Sequence, residues 1–330
     1  MVARNSSTLG RMRAISLGIR LCLLCPTMGC GSGKVGEIHV HAGGTGASAG
    51  AGIGGASSGG TSFTESAQAN PGGAAMGTGT TMVASTVLLH ADFQTRNAGP
   101  YTQAMVDADF SGIPSWNNGL DAGRATIVDE AGEKFLRVAY VGAAFGPTDN
   151  GVQFLVPLSG TFEELYLSYR VRFASGFEFV KGGKLPGLVG GTHPTGCISD
   201  TGGFSARMMW RTSGAAVQYM YFPEKVNSCG DDFAYAANGT DLVFAPGQWH
   251  RVMHRIRMNQ AGSHDGILQA WLDDQLALDN QSFIYRIVGA TFGVDALYFS
   301  TFFGGSDSTW APATAQVADF DDFIVSTARP

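Results

Sequence analysis

The sequence predicts an all-β fold, a jelly-roll sandwich of antiparallel sheets, over residues 86–330. Three observations predict it. Apolar and polar residues alternate over short segments, clusters of Gly, Asn and Asp separate these segments, and long amphipathic helical patterns are scarce. Period-two alternation places successive side chains on opposite faces of a strand. Many short strands with frequent turns are typical of a sandwich or jelly roll.

The alternation is clearest in residues 165–173, where every odd position is apolar or aromatic and most even positions are polar. Similar alternation recurs in residues 136–140, 268–272 and 297–303. Residues 320–325 form a last strand-like run. We therefore expect a single folded domain, and we expect it to be monomeric.

The N-terminal segment reads as a secretory signal over residues 1–30. Arg4, Arg11 and Arg13 form a basic region ahead of a short apolar run, and the segment ends in Thr27-Met28-Gly29-Cys30. Gly29-Cys30 resembles a bacterial lipoprotein cleavage box, in which Cys30 would be lipidated, although Thr27 stands where Leu is usual. The alternative is a signal cut elsewhere, without an anchor. We expect an exported protein, either an outer-membrane or cell-surface lipoprotein or a secreted one.

Residues 31–85 are dominated by Gly, Ala, Ser and Thr. Such a segment cannot bury enough apolar surface to offset the entropy lost on ordering. We predict a flexible linker that holds the folded domain away from a membrane. No apolar run reaches the length of about 18 residues needed for a membrane span, so we expect membrane contact only through a lipid anchor.

Composition argues against a nucleic-acid partner. The formal net charge is −6 and charged residues make up 15 % of the chain. A nucleic-acid binder needs clustered Lys and Arg to displace counterions.

The chain has five cysteines, of which Cys22, Cys25 and Cys30 belong to the signal segment. Cys197 and Cys229 remain in the folded domain. An even pair in an exported protein predicts a disulfide. The alternative is two free buried thiols.

Three segments carry the candidate chemistry. Residues 181–188 read KGGKLPGL, which is too rich in Gly for a helix and lacks the spacing of a phosphate-binding loop. It is either part of a site or a bent structural strand with a solvated lysine. Residues 204–211 and 217–223 follow, and Thr212-Ser213-Gly214 between them is a plausible hairpin turn.

A hairpin centred on Ser213 has a definite register. It sets Arg207 opposite Tyr219 and Ser205 opposite Tyr221, with all four side chains on one face. The intervening residues 204, 206, 208 and 210 then point into the core. Such a polar face is either a hydrogen-bonded ladder on a sheet surface or a functional site.

The strings KGGKLPGL, FSARMMWR and YMY followed by Pro223 resemble polysaccharide lyase family 14. The likeness extends loosely through residues 299–305 to residues 321–323. This family contains alginate lyases and glucuronate-cleaving lyases with a β-jelly-roll fold. The resemblance implies five catalytic residues here: Lys184, Ser205, Arg207, Tyr219 and Tyr221.

The implied reaction is β-elimination in a uronic-acid polymer, with alginate as the first choice and glucuronan as the second. Lys184 and Arg207 would neutralise the substrate carboxylate and favour the developing enolate. A tyrosine whose pKa is lowered by these cations would remove the C5 proton, and a neutral tyrosine would protonate the leaving oxygen. We assign the proton transfers to Tyr219, because Arg207 lies opposite it. Tyr221 and Ser205 would position the sugar.

The acidic polysaccharide would meet further residues along the groove, and we assign substrate binding to Lys181, His193 and Arg211. The reaction needs no metal or cofactor. If the tyrosines prove dispensable, His193 is the next candidate base.

Two other classes of function are open at this stage. A non-catalytic carbohydrate-binding module could use Trp271, Tyr298 and Trp310. A glycoside hydrolase would need two carboxylates facing one cleft about 5–10 Å apart. The candidates for these carboxylates are Asp273, Asp274, Asp321 and Asp322, but adjacent residues of a strand face opposite ways.

Overall fold

The computed structural model describes residues 86–330 except positions 111, 113 and 115. The predicted signal segment 1–30, with Cys30, and the predicted linker 31–85 lie outside the described residues. Among the described residues, no helix is long and apolar enough to cross a membrane.

The described part of the chain is mostly strand. Its strands are β1 (Val87–Ala91), β2 (Gly99–Pro100), β3 (Asn117–Asn118), β4 (Ala125–Glu130), β5 (Glu133–Tyr140), β6 (Val152–Phe162), β7 (Glu164–Phe173), β8 (Gly182–Gly191), β9 (Gly203–Arg211), β10 (Ala216–Tyr221), β11 (Asp231–Ala234), β12 (Ala236–Ala237), β13 (Thr240–Asp241), β14 (Trp249–Arg257), β15 (Gly266–Leu272), β16 (Gln275–Phe283), β17 (Val294–Phe303) and β18 (Gln316–Ser326). Its α-helices are α1 (Gln103–Asp109) and α2 (Gly146–Asp149), and short 3₁₀ turns span Thr212–Gly214 and Ser308–Trp310.

These strands form two large antiparallel sheets. The nine-stranded sheet has the order β16-β15-β14-β7-β18-β5-β4-β2, with β1 also paired to β18. The seven-stranded sheet has the order β11-β10-β9-β8-β17-β6-β3. A separate pair joins β12 to β13. The predicted jelly-roll sandwich of antiparallel sheets is confirmed.

The core lies between the two large sheets. The alternation predicted for residues 165–173 holds in β7, whose five odd-numbered side chains from Leu165 to Phe173 are all fully buried. Aromatic rings fill much of the space between the sheets: Phe154 stacks on Phe299 with centroids 4.6 Å apart, and Tyr169 stacks on Phe323 at 5.0 Å. Edge and stacked contacts of this kind add to the free energy of burial.

A bulge in β8 decides which way Lys184 points. The pairing of β8 with β9 shifts between Leu185 and Gly187, and Pro186, which has no N–H to donate, occupies the irregular position. Leu185 and Leu188 consequently enter the core, whereas Lys184 turns to the opposite face, against Met209 and Tyr219. A Cβ atom at Gly187 would collide with the carbonyl oxygen of Ala206, so this close approach requires glycine.

Candidate active site

The hairpin of β9 and β10 carries most of the predicted site. Arg207 pairs with Tyr219 and Ser205 pairs with Tyr221, so the predicted register is confirmed. Ser213 has a φ of 59° in the turn, as a tight hairpin requires of one of its residues. The intervening side chains at 204, 206, 208 and 210 are fully buried in the core, as predicted.

Two loops lie over the polar face of this hairpin. We call residues 192–202, between β8 and β9, loop A, and residues 222–230, between β10 and β11, loop B. The predicted disulfide is present and joins Cys197 of loop A to Cys229 of loop B. Within loop A, the carbonyl oxygen of Pro194 accepts a hydrogen bond from Ser205 Oγ at 2.8 Å. The face is therefore buried, not solvated as an ordinary sheet surface would be.

Lys184 lies at the centre of this buried face. Its side chain is 8 % exposed, so the reading as a solvated lysine on a bent strand is wrong. Its Nζ donates to Met209 Sδ at 2.8 Å and lies 3.9 Å from the centroid of the Tyr219 ring. Burial lowers the pKa of Lys184 well below its usual value, and the charges of Arg207 and Arg211 lower it further.

Tyr219 is a neutral phenol in this environment. Burial raises its pKa above 10, and the neighbouring Tyr221 raises it further. The Gly230 N–H, which donates to Tyr219 Oη at 2.9 Å, and the charge of Arg207 both act in the opposite direction but are outweighed. The expectation that Arg207 would lower the pKa of Tyr219 enough to form a phenolate is therefore wrong for this structure, because desolvation dominates.

Arg207 is a buried guanidinium without a carboxylate partner in the part of the chain that the structure describes. It is 3 % exposed, its Nη1 makes one long hydrogen bond of 3.4 Å to Ser300 Oγ, and its Nε has no hydrogen-bond partner among the described residues. The buried Arg286 differs, because it forms an ion pair of 2.8 Å with Glu163. Burial of a cation without a counter-ion costs free energy. The carboxylate of a ligand would supply the missing counter-ion.

Two of the predicted substrate-binding residues meet at one end of this face. The Arg211 guanidinium lies 5.8 Å from the Trp310 ring and Lys181 Nζ lies 6.0 Å from it. Arg211 also forms an ion pair of 2.6 Å with Asp232 and lies 5.5 Å from the Tyr219 ring. Two cations and an aromatic ring therefore meet at this end of the face.

His193 lies elsewhere on loop A. Its Nε2 is 2.6 Å from Asp295 Oδ1, and both residues line a shallow surface cavity beside Leu155 and Pro157. The adjacent Pro194 contacts Ser205, so His193 is close to the hairpin in sequence, but its observed partner is Asp295.

Tyr298, which the sequence indicated only as a residue of a carbohydrate-binding module, forms a wall of the site beside Arg207, and this placement was not predicted. The Tyr298 ring lies 5.2 Å from the Arg207 guanidinium, and Tyr298 Oη donates to Gln153 Oε1 at 2.8 Å. Trp116 packs edge-on against Tyr298 with centroids 5.6 Å apart. The alternation in β17 could have placed Tyr298 and Ser300 opposite the core-facing Phe299, but only the sheet order brings β17 next to β8.

The carboxylates considered for a glycosidase lie on the other sheet. Asp273 and Asp274 form the turn between β15 and β16 and pair with His250 and Arg251. The remaining two belong to β18, where Asp321 lies 2.6 Å from Arg170. None of the four lies on the seven-stranded sheet that carries Arg207.

Comparison with known families decides the class of the protein. The sequence profile described as Polysaccharide lyase 14 matches residues 128–323, a range that includes every residue of the hairpin site. The chain belongs to polysaccharide lyase family 14. It is therefore a polysaccharide lyase, and the resemblance noted in the sequence is confirmed.

Solved structures agree with this assignment. The structure of alginate lyase Aly36B is similar to this lyase with 25 % identity and a TM-score of 0.62, over 73 % of this chain and 96 % of that one. A mutant of Aly36B in complex with an alginate tetrasaccharide gives 23 % identity and a TM-score of 0.63, over 74 % and 97 % of the two chains. The marine alginate lyase of Aplysia kurodai gives 21 % identity and a TM-score of 0.60, over 74 % and 100 %. A search among curated protein sequences finds no match.

Proposed function

We propose that this lyase cleaves uronic-acid polymers by β-elimination, with alginate as the first substrate to test and glucuronan as the second. The observation that carries the proposal is Arg207, a buried guanidinium without a carboxylate partner among the described residues, on the same buried face as the amine of Lys184. Each sugar of a uronic-acid polymer brings one carboxylate. Similar solved structures that are named alginate lyases, one of them bound to an alginate tetrasaccharide, favour alginate.

Arg207 binds the carboxylate of the sugar that is cleaved. The C5 proton of a uronate is weakly acidic, because the carbanion left behind is stabilised only by that carboxylate. A planar guanidinium can bind both carboxylate oxygens and stabilise the extra charge of the enolate as it forms. The unpaired Arg207 Nε supports this role.

Lys184 is the base in this proposal. Its lowered pKa makes the neutral amine available at a pH where an ordinary lysine is charged. The amine takes the C5 proton, the C5–H electron pair forms the C4–C5 double bond, and the C4–O bond breaks. Lys184 thus moves from the carboxylate-binding role expected from the sequence to proton transfer, while Arg207 keeps the carboxylate.

Tyr219 is the acid. Its raised pKa keeps the phenol protonated, so its hydroxyl can give a proton to the departing glycosidic oxygen. The products are an unsaturated uronide and a new chain end. Exchange with solvent then moves one proton from Lys184 to Tyr219 and resets both groups. Ser205 and Tyr221 position the sugar.

Neighbouring sugars bind beyond these residues. Lys181 and Arg211, beside the Trp310 ring, take the carboxylate of an adjacent uronate on one side. His193 contributes from loop A. These residues act on substrate affinity and not on proton transfer.

The rest of the chain sets where this chemistry takes place. We propose that residues 1–30 direct export, that Cys30 carries a lipid anchor, and that residues 31–85 link this anchor to a monomeric lyase domain formed by residues 86–330.

The deciding experiment presents the purified protein with polymannuronate, polyguluronate and glucuronan. We expect ultraviolet absorbance from the new C4–C5 double bond on at least one polymer, and undiminished turnover with a chelator present. New reducing ends without this absorbance would indicate a hydrolase, and binding without any product would indicate a carbohydrate-binding module.

A further inference from the structure

Both site tyrosines are held by backbone groups at the disulfide. Tyr221 Oη accepts a hydrogen bond of 3.0 Å from the N–H of Cys197. Tyr219 Oη accepts one of 2.9 Å from the N–H of Gly230, the residue that follows Cys229. The disulfide between Cys197 and Cys229 therefore lies between the two donors and joins the loops that carry them.

The disulfide is the covalent link between two loops that share few other contacts. Across loops A and B, Lys225 Nζ donates to Ser199 Oγ at 3.1 Å, which is an exposed contact. Asp231, which begins β11 and pairs with Met220 of β10, accepts hydrogen bonds from the N–H groups of Val226 and Asn227 in loop B. These contacts hold loop B beside β10, whereas the disulfide ties loop A, with the N–H of Cys197, to the same place.

A fixed N–H aimed at a phenol oxygen has a chemical consequence. When Tyr219 gives its proton to the leaving oxygen, negative charge develops on Oη. A donor already placed 2.9 Å away stabilises that charge without rearranging. Burial of the phenol works against the same charge, so the donor acts where it is most needed.

We propose that the Cys197–Cys229 disulfide is a positioning element of the active site, which holds the N–H groups of Cys197 and Gly230 against the hydroxyls of Tyr221 and Tyr219 and so stabilises phenolate as the acid gives up its proton. The inference rests on the proposed function of Tyr219. A disulfide that only joined the two loops would affect the stability of the fold, whereas donors held against the tyrosine hydroxyls also affect the rate of the reaction.

The test uses the full chain with Cys197→Ser and Cys229→Ser combined. At a temperature well below the melting midpoint of this variant, we expect kcat to fall by about 10-fold or more, with KM changed much less, given that a single donor to a developing oxyanion contributes about 10²–10³-fold. Ser199→Ala is the matched control. It removes the hydrogen bond from Lys225 across the loops and touches neither tyrosine donor, so kcat should stay unchanged.

Double-mutant analysis separates this effect from a general loosening of the fold. In a Tyr219→Phe background the phenol oxygen is gone, so opening the disulfide should lower kcat little further. An unchanged kcat in the folded Cys197→Ser/Cys229→Ser variant would overturn the proposal. So would an equal fold-loss with and without the Tyr219 hydroxyl.

Amide hydrogen exchange tests the donors even where turnover is too slow to measure. With the disulfide intact, Tyr219→Phe should remove protection of the Gly230 amide, and Tyr221→Phe should remove that of the Cys197 amide. Unchanged protection in both variants would also overturn the proposal. A wild-type protein that is inactive on every polymer would instead refute the proposed function, and the exchange result would still show whether the donors are held.

Discussion

Lys184 Nζ lies 3.9 Å above the ring of Tyr219, and both side chains are buried on the same face of the seven-stranded sheet. Burial shifts their pKa values in opposite directions: it lowers that of the amine and raises that of the phenol. Burial therefore disfavours the charged form of each group, which favours proton acceptance by the amine and proton donation by the phenol. Neighbouring groups with such pKa values are typical of acid and base pairs in active sites.

Replacing Lys184 with alanine should abolish most turnover and leave a space that a small amine can enter. A general base contributes about 10²–10⁴-fold to the rate, so we expect kcat to fall in that range and to recover partly when methylamine or ethylamine is added. Lys181→Ala is the control, which should raise KM and gain nothing from added amine. A Lys184→Ala variant that no amine restores would favour the alternative role in carboxylate binding.

Lys184→Met should stabilise the fold while it removes activity. Because burial lowers the pKa of Lys184 in the folded state, the unfolded chain binds the extra proton between that lowered pKa and the usual value of 10.5. Stability of the wild type therefore rises with pH across this window and is lowest below it. We expect Lys184→Met to raise the free energy of unfolding by about 1 kcal/mol at neutral pH, and the gain should vanish above pH 10.5. Denaturant melts at several pH values measure this, and a destabilised variant at neutral pH would contradict it.

Arg207→Lys keeps the charge but loses the planar fork. If Arg207 binds the substrate carboxylate through both oxygens and stabilises the enolate, kcat/KM should fall by about 10²–10³-fold. Arg251→Lys, on the nine-stranded sheet, provides the matched control and should leave kcat/KM unchanged. Near-wild-type activity of Arg207→Lys would mean that a point charge suffices there.

Substitutions of Tyr219 and Tyr221 should affect different kinetic constants. Tyr219→Phe keeps the ring but deletes the hydroxyl that we propose as the acid, so kcat should fall by about 10²–10⁴-fold with the fold intact. Tyr221→Phe should be milder and should act more on KM. Steady-state kinetics on the preferred polymer compares them. If Tyr221→Phe lowers kcat more, the assignment of acid reverses.

Anchoring is tested at Cys30. If this cysteine is lipidated, the mature protein should partition with membranes when expressed in a bacterial host, and Cys30→Ala should release or misprocess it. Cell fractionation and mass spectrometry of the N-terminus measure both. A wild type found only in the soluble fraction, with processing unaffected by Cys30→Ala, would refute the lipid anchor.

The sequence by itself determined the fold class and the hairpin register. Both depend on local signals: period-two alternation marks each strand, and a turn centred on Ser213 leaves one pairing of Arg207 with Tyr219. The disulfide followed equally directly, because Cys197 and Cys229 were the two cysteines left in the folded domain.

The tertiary structure decided the direction in which the pKa of each group is shifted. Desolvation of Lys184 and Tyr219 depends on loops A and B lying over the sheet, and no local pattern in β8 or β10 reports that cover. It also decided the neighbours of Arg207, since Tyr298 and Ser300 reach it only because β17 pairs with β8. The burial of a side chain and the charges around it depend on residues that are distant in sequence. The sequence could therefore indicate the residues of the site, but not their pKa shifts or their partners.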